Sequence, residues 1–168
     1  MWLSRRILLL TLFIPSLVIA KNKVVYFEPT LVELNGVIKT LQFPGPPNYE
    51  SIKNGDRDES GPYLILDNPI DIELTPKIQI GNDEPRQNVK LIQLIVHTNS
   101  DWEKIKQGNY VRILGVLFNA QTGHHHARVL LEVNKIKVIS KEYLVKIKFD
   151  ITAEDREFLK GQAGDVIQ

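Results

Sequence analysis

One short helical segment, set in a chain that otherwise reads as strand, constrains this fold more than any other feature. Ser100 or Asp101 offers a helix N-cap. Residues 102–107 put Trp102 and Ile105 three apart on one face, and Gly108 stands where the helix must end. Upstream, residues 24–40 predict the first strand: residues 24–27 are apolar, and residues 31–38 alternate loosely around Gly36, where a long strand would bend or bulge. Residues 43–61 form a long polar loop whose prolines and glycines bar regular pairing. A second strand begins at residues 63–66 and continues with clean alternation through 70–74, with Asn68-Pro69 marking a bulge or local turn between the halves. Residues 78–87 form a further loop. Residues 89–96 are apolar at most positions and predict a central strand.

After the helical segment, residues 110–118 predict a fourth strand with Gly115 inside it, and residues 119–123 a turn. Residues 129–139 predict a fifth, with Val129, Leu131 and Val133 on one face and Leu130 on the other. The order is strand, long loop, strand, strand, short helix, strand, strand. That is the order of an OB-like barrel, a five-stranded Greek-key closure with a short helix between strands 3 and 4. A generic sandwich needs about seven short strands and gives no reason for a helix there. The expected fold is therefore mainly β, with the barrel over residues 21–139. Residues 140–168 form a C-terminal extension: a sixth, lysine-bearing edge strand over 141–149, then a short helix over 152–160. Thr152 would be its N-cap, Phe158 and Leu159 would face inward, Gly161 would end it, and residues 163–168 would fray.

Residues 1–20 have the three-part pattern of a secretory signal: Arg5 and Arg6, an apolar run from Ile7 to Ala20, then polar Lys21-Asn22-Lys23. The run falls short of the ~20 residues of a spanning helix, and Pro15 interrupts it. Cleavage after Ala20 is expected, giving a soluble product in the periplasm or outside the cell, with no transmembrane span in the mature chain. Losing Arg5 and Arg6 takes the 21 basic residues to 19, against 20 acidic. Such a near-neutral chain lacks the electrostatic footprint of a nucleic-acid binder, and none is expected as a partner. With no cysteine there are no disulfides, so stability must come from packing.

Chemistry concentrates at His124, His125 and His126, three of the chain's four histidines, directly after Gly123. Imidazoles titrate near neutral pH and ligate metals. In the expected barrel, the loop after strand 1 and the loop between strands 4 and 5 flank the usual binding face. The first carries Tyr49, Glu50, Asp56 and Glu59; the second leads into the histidines. If the histidines open the fifth strand, His124 and His126 share a face and could ligate a divalent metal such as zinc. Glu50, Asp56, Glu59 or His97 would then complete the set. The plainer readings are that the histidines cap a turn, bond to the backbone or stand in solvent. Residues 56–59 read equally well as a solvated loop, and His97 as a strand-end residue satisfied by its neighbours. No nucleophile elbow, metalloprotease helix motif or phosphate-cradling loop is present, so no catalytic residue is assigned.

Two segments resemble a known family. Gly45-Pro46-Pro47-Asn48-Tyr49-Glu50-Ser51, with Gly55, Asp56 and Glu59 beyond, is similar to its first motif. Gly115-Val116-Leu117-Phe118-Asn119-Ala120-Gln121-Thr122-Gly123-His124-His125-His126, followed by Val129-Leu130-Leu131, is similar to its second. The family is a bacterial domain of unknown function (domain of unknown function 4431), usually found behind a signal peptide. The resemblance spans roughly Leu31 to Ile139 and implies that the two loops act as one unit; it implies no activity. Arg128 departs from the pattern, which has a smaller or proline-like residue there, and the tail from Ser140 lies outside it.

The function expected from these features is that of an exported, non-catalytic binding module. It would present Tyr49, Glu50, Asp56, Glu59 and His124 to His126 to a small polar ligand or metal ion. The alternatives are a metal-dependent hydrolase using the histidines and an envelope protein-interaction subunit whose edge strand or tail pairs with a partner.

Overall fold

The computed structural model describes residues 21–75, 84–140 and 150–162. The expected leader (1–20), the sixth strand (141–149), the last residues (163–168) and most of the 78–87 loop lie outside the described residues. Those described are mainly β. Six strands form one mixed sheet: β1 (Lys23–Tyr26), β2 (Leu31–Leu41), β3 (Gly61–Glu73), β4 (Arg86–Ile95), β5 (Tyr110–Asn119) and β6 (Val129–Ser140). Helix α1 (Asn99–Trp102) lies between β4 and β5, and α2 (Ala153–Gly161) follows β6. The strand order is β1-β3-β2-β5-β6-β4, with a further pairing of β3 to β4. β1 with β3 and β4 with β6 are parallel; the other pairs are antiparallel.

The period-two pattern positions the core. Val111, Ile113 and Leu117 of β5 and Val129, Leu131 and Val133 of β6 point inward, where they meet Ile38, Leu64, Ile72, Val89 and Ile92. Each such side chain contributes about 1.5–3 kcal/mol on full burial. Gly36 lets β2 approach β3 closely: a Cβ there would collide with the Ile65 carbonyl oxygen. The irregularity expected at Asn68-Pro69 is present as a register shift between Ile65 and Ile70 of β3. A second, smaller core lies between the sheet and α2, where Leu41, Phe43, Tyr63, Ile65, Leu91 and Ala127 pack with Ile151 and Leu159.

Three details differ from the sequence reading. The first apolar stretch is an edge strand of its own, β1, and the turn at residues 27–30 separates it from β2. Helix α1 is one turn rather than residues 102–107, because Thr98, not Ser100 or Asp101, is the cap; its hydroxyl accepts from the Asp101 N–H. This leaves Trp102 exposed while Ile105 packs on the core. The histidines belong to the turn before β6, which begins only at Val129. The tail helix forms as expected, with Thr152 accepting from the Asp155 N–H at 3.2 Å.

Candidate functional site

The loop between β2 and β3 is organised around Asp56. Its buried carboxylate accepts the backbone N–H groups of Ser51 and Glu50, both at 2.8 Å, and of Asn48 at 2.9 Å. These donors, Ser51 first and then Asn48, hold the Asp56 carboxyl below the usual carboxylate range. Asp56 is thus engaged in folding the loop. The Glu50 side chain is exposed, and its backbone is one of the groups Asp56 holds. Main-chain bonds from Gly45 N–H to the Arg57 carbonyl and from Glu59 N–H to the Phe43 carbonyl close the loop into a narrow hairpin. The hairpin lays Glu59 across Gly45, where a Cβ would come within 2.6 Å of the Glu59 Cγ.

The turn between β5 and β6 brings the imidazoles to that carboxylate. Glu59 Oε1 lies 2.6 Å from His124 Nδ1, and Oε2 lies 2.9 Å from His126 Nε2. The Gln93 carboxamide of β4 fixes the turn, accepting from the His126 N–H at 2.7 Å and donating to the His124 carbonyl at 3.1 Å. The Phe43 ring stacks on His126 at 4.3 Å, nearly parallel. Tyr49 tilts against His124 with ring centres 6.0 Å apart, and its backbone takes φ 59°, a left-handed conformation that costs a side chain of this size. His125 points elsewhere: its Nδ1 accepts the Gln121 N–H, and its ring meets Phe118 edge-on. Burial pushes its pKa down, and the neighbouring His124 and His126 add to the effect.

The hydrogen-bond pattern assigns the tautomers. An ionised carboxylate only accepts, so His124 presents Nδ1–H and His126 presents Nε2–H to Glu59. The His124 side chain is 59% exposed, which leaves its second nitrogen free for other partners; that of His126 is 4% exposed. His126 Nδ1 and the Tyr63 hydroxyl are buried without a hydrogen-bond partner. Burial, and next the charge of Glu59, pushes the Tyr63 hydroxyl pKa up.

The structure therefore joins Tyr49, Glu59, His124 and His126, turns Asp56 and His125 to their own loops, and leaves Glu50 outside. His97 is not part of the group; it pairs with Glu132 at 3.0 Å. As metal ligands, His124 and His126 each spend one ring nitrogen on Glu59 at hydrogen-bond length. Among the described residues, no group of three or more His, Cys, Asp or Glu side chains is placed to hold a metal ion. The sequence reading missed Phe43, at the start of the β2–β3 loop, and Tyr63 and Gln93, on β3 and β4, none of which carries a local signal.

Directly beyond His126, Ala127 enters the second core and Arg128 turns to α2. Arg128 donates through Nε and Nη2 to Asp155 Oδ1 at 2.8 and 2.6 Å, and also to the carbonyls of Gln87 and Asn88. Asp155 Oδ2 accepts the N–H groups of Lys90 and Leu91. Arg128 thus ties the histidine turn to the tail helix.

A family model described as Domain of unknown function (DUF4431) matches residues 91–137. The match runs from the second half of β4 through most of β6, with the histidine turn and Arg128 inside it, and bears out the resemblance to a family of unknown function; the loop carrying Glu59 lies outside the matched residues. No curated protein matches the chain. No helix among the described residues is long and apolar enough to cross a membrane.

Proposed function

We propose that this chain is an exported, non-catalytic binding module built on an OB-like barrel, acting in the periplasm or outside the cell. Its ligand is a small polar molecule or ion that docks at His124 beside Tyr49. The ring of pairings β2–β3–β4–β6–β5–β2, with β4 and β6 parallel and α1 after β4, supports the barrel reading. The leader-like pattern at residues 1–20 supports export.

The observation that carries the binding reading is the Glu59 carboxylate shared by His124 and His126. It makes two loops distant in sequence into one rim. It also fixes the His124 ring so that an exposed nitrogen stands ready as an acceptor or as a single ligand to a metal such as zinc. A carboxylate on one imidazole nitrogen that orients the other is the usual support of a ligating histidine. The strained Tyr49 backbone against the same ring is the kind of distortion that collects at binding sites.

Thermal melts of the purified protein with zinc ion, inorganic phosphate, and neutral and acidic monosaccharides test this reading. A ligand that raises the melting temperature of the wild type, and does not raise that of His124→Ala, supports it. No stabilisation by any probe, or equal stabilisation of the variant, defeats it.

A further inference from the structure

A cavity of about 520 Å³ opens where two strands give up and take over the same edge of a third. β2 pairs with β3 from Leu41↔Gly61 to Gly36↔Leu66, then turns to β5. β1 pairs with β3 only from Lys23↔Ile70 onward, while β4 occupies the other edge at Ile70 and Ile72. Between these contacts neither β1 nor β2 pairs with β3 at Asp67, Asn68 and Pro69. The space left is lined by Leu34, Leu66 and Ile70 at its base and by charged and amide side chains around its mouth. Its volume is that of an ordinary small-molecule pocket.

The mouth carries both signs of charge. Lys21 and Lys23 come from one wall, Glu33 and Asp67 from the others. Several of these groups are held from behind. Tyr110 donates to Asp67 Oδ2 at 2.6 Å; the Arg112 Nε donates to Asn35 at 3.1 Å and lies 3.5 Å from Glu33. Asn22 donates to Asp71 at 2.9 Å. Such support lowers the entropy lost when a ligand is seated. The described lining includes no aromatic ring to stack against a sugar. An apolar base beneath ammonium and carboxylate groups fits a ligand with the converse arrangement.

We infer that this cavity binds a small zwitterion with an apolar side chain: a free amino acid or a dipeptide. The ligand's carboxylate pairs with Lys21 and Lys23, its ammonium with Glu33 and Asp67, and its side chain covers Leu34, Leu66 and Ile70. This site is separate from the histidine rim and does not depend on it.

The test is titration of isotope-labelled protein with L-leucine, the dipeptide Leu-Leu and doubly blocked N-acetyl-leucine amide, reading the backbone amide shifts of Asn35 and Asn68. The expected result is saturable shifts with at least one zwitterion and none with the blocked compound. Lys23→Gln and Asp67→Asn each weaken binding by about tenfold or more. Glu59→Ala leaves it unchanged, which separates this site from the rim. Tighter binding of Leu-Leu assigns a dipeptide; tighter binding of leucine assigns a free amino acid. No saturable shift with either zwitterion, an equal response to the blocked compound, or shifts confined to residues 121–126 overturns the inference.

Discussion

Two carboxylates hold the segment His124–Arg128, one at each end, and they differ in kind. Glu59 takes His124 and His126; its side chain is 21% exposed, and its partners carry charge only when protonated. Asp155 takes Arg128; it is 1% exposed, its partner is always charged, and two backbone N–H groups fill its remaining capacity. Ala127 sits between the two junctions in the second core. One is adjustable and faces solvent; the other is fixed and buried. The division leaves the segment anchored to the fold at one end, the Asp155 clamp, and open to solvent at the other.

The sharpest way to break the contrast is to remove the clamp. Asp155→Ala leaves Arg128 buried without its partner and frees the Lys90 and Leu91 N–H groups. Loss of one member of a buried pair costs about 3–5 kcal/mol. Denaturant melts should show a loss in that range, and a loss below about 1 kcal/mol would put the clamp in the class of surface pairs. Glu59→Ala should cost less, about 1–3 kcal/mol, mainly because the buried His126 Nε2–H loses its acceptor. If the second loss equals the first, exposure does not separate the two junctions.

The pH dependence sharpens the comparison further. His125 has a lowered pKa in the fold relative to its ordinary 6.5. The unfolded chain therefore takes up the proton first as pH falls. Stability is full above about pH 6.5 and declines as the pH drops toward the folded-state value. Asp56, also lowered, acts in a separate window: its contribution is present above its ordinary 3.8 and is lost as the pH falls through its folded value. Urea melts across pH 2–7 should show two declines, one setting in as the pH falls below about 6.5 and the other as it falls below about 3.8. His125→Asn should remove the upper decline and leave the lower one. An unchanged upper decline would mean that His125 does not carry it.

How much of this was legible follows from the range over which each signal acts. Alternation has a period of two residues, so β5 and β6 and their inward faces could be read from the chain alone. The meeting of the two loops followed from strand order, and the Glu59–His124 and Glu59–His126 contacts agree with it. The separate duties of Asp56 and Glu59 were not legible. Both are acids in one polar loop, and only the hairpin's main-chain bonds decide which faces the backbone and which the imidazoles. Gln93 was invisible because β4 brings it in through long-range register, and Phe43 because its contact with His126 crosses from one loop to another. The duty of Arg128 was not legible either, because its partner Asp155 lies 27 residues away in the tail.

The smallest effect concerns the ground between the junctions. Phe43 stacks on His126 and lies 5.9 Å from the Tyr63 ring, and behind it the Tyr63 hydroxyl and His126 Nδ1 are both buried and unpartnered. One is a donor lacking an acceptor and the other, in the assigned tautomer, an acceptor lacking a donor. Tyr63→Phe keeps the ring and removes an unsatisfied polar group, so stability should stay level or rise by up to about 1 kcal/mol. A fall of similar size would mean that the hydroxyl reaches His126 in solution. The imidazole would then be held on both nitrogens, by Glu59 in front and Tyr63 behind. The rim would share the fixed character of the clamp, and the contrast between the junctions would rest on His124 alone.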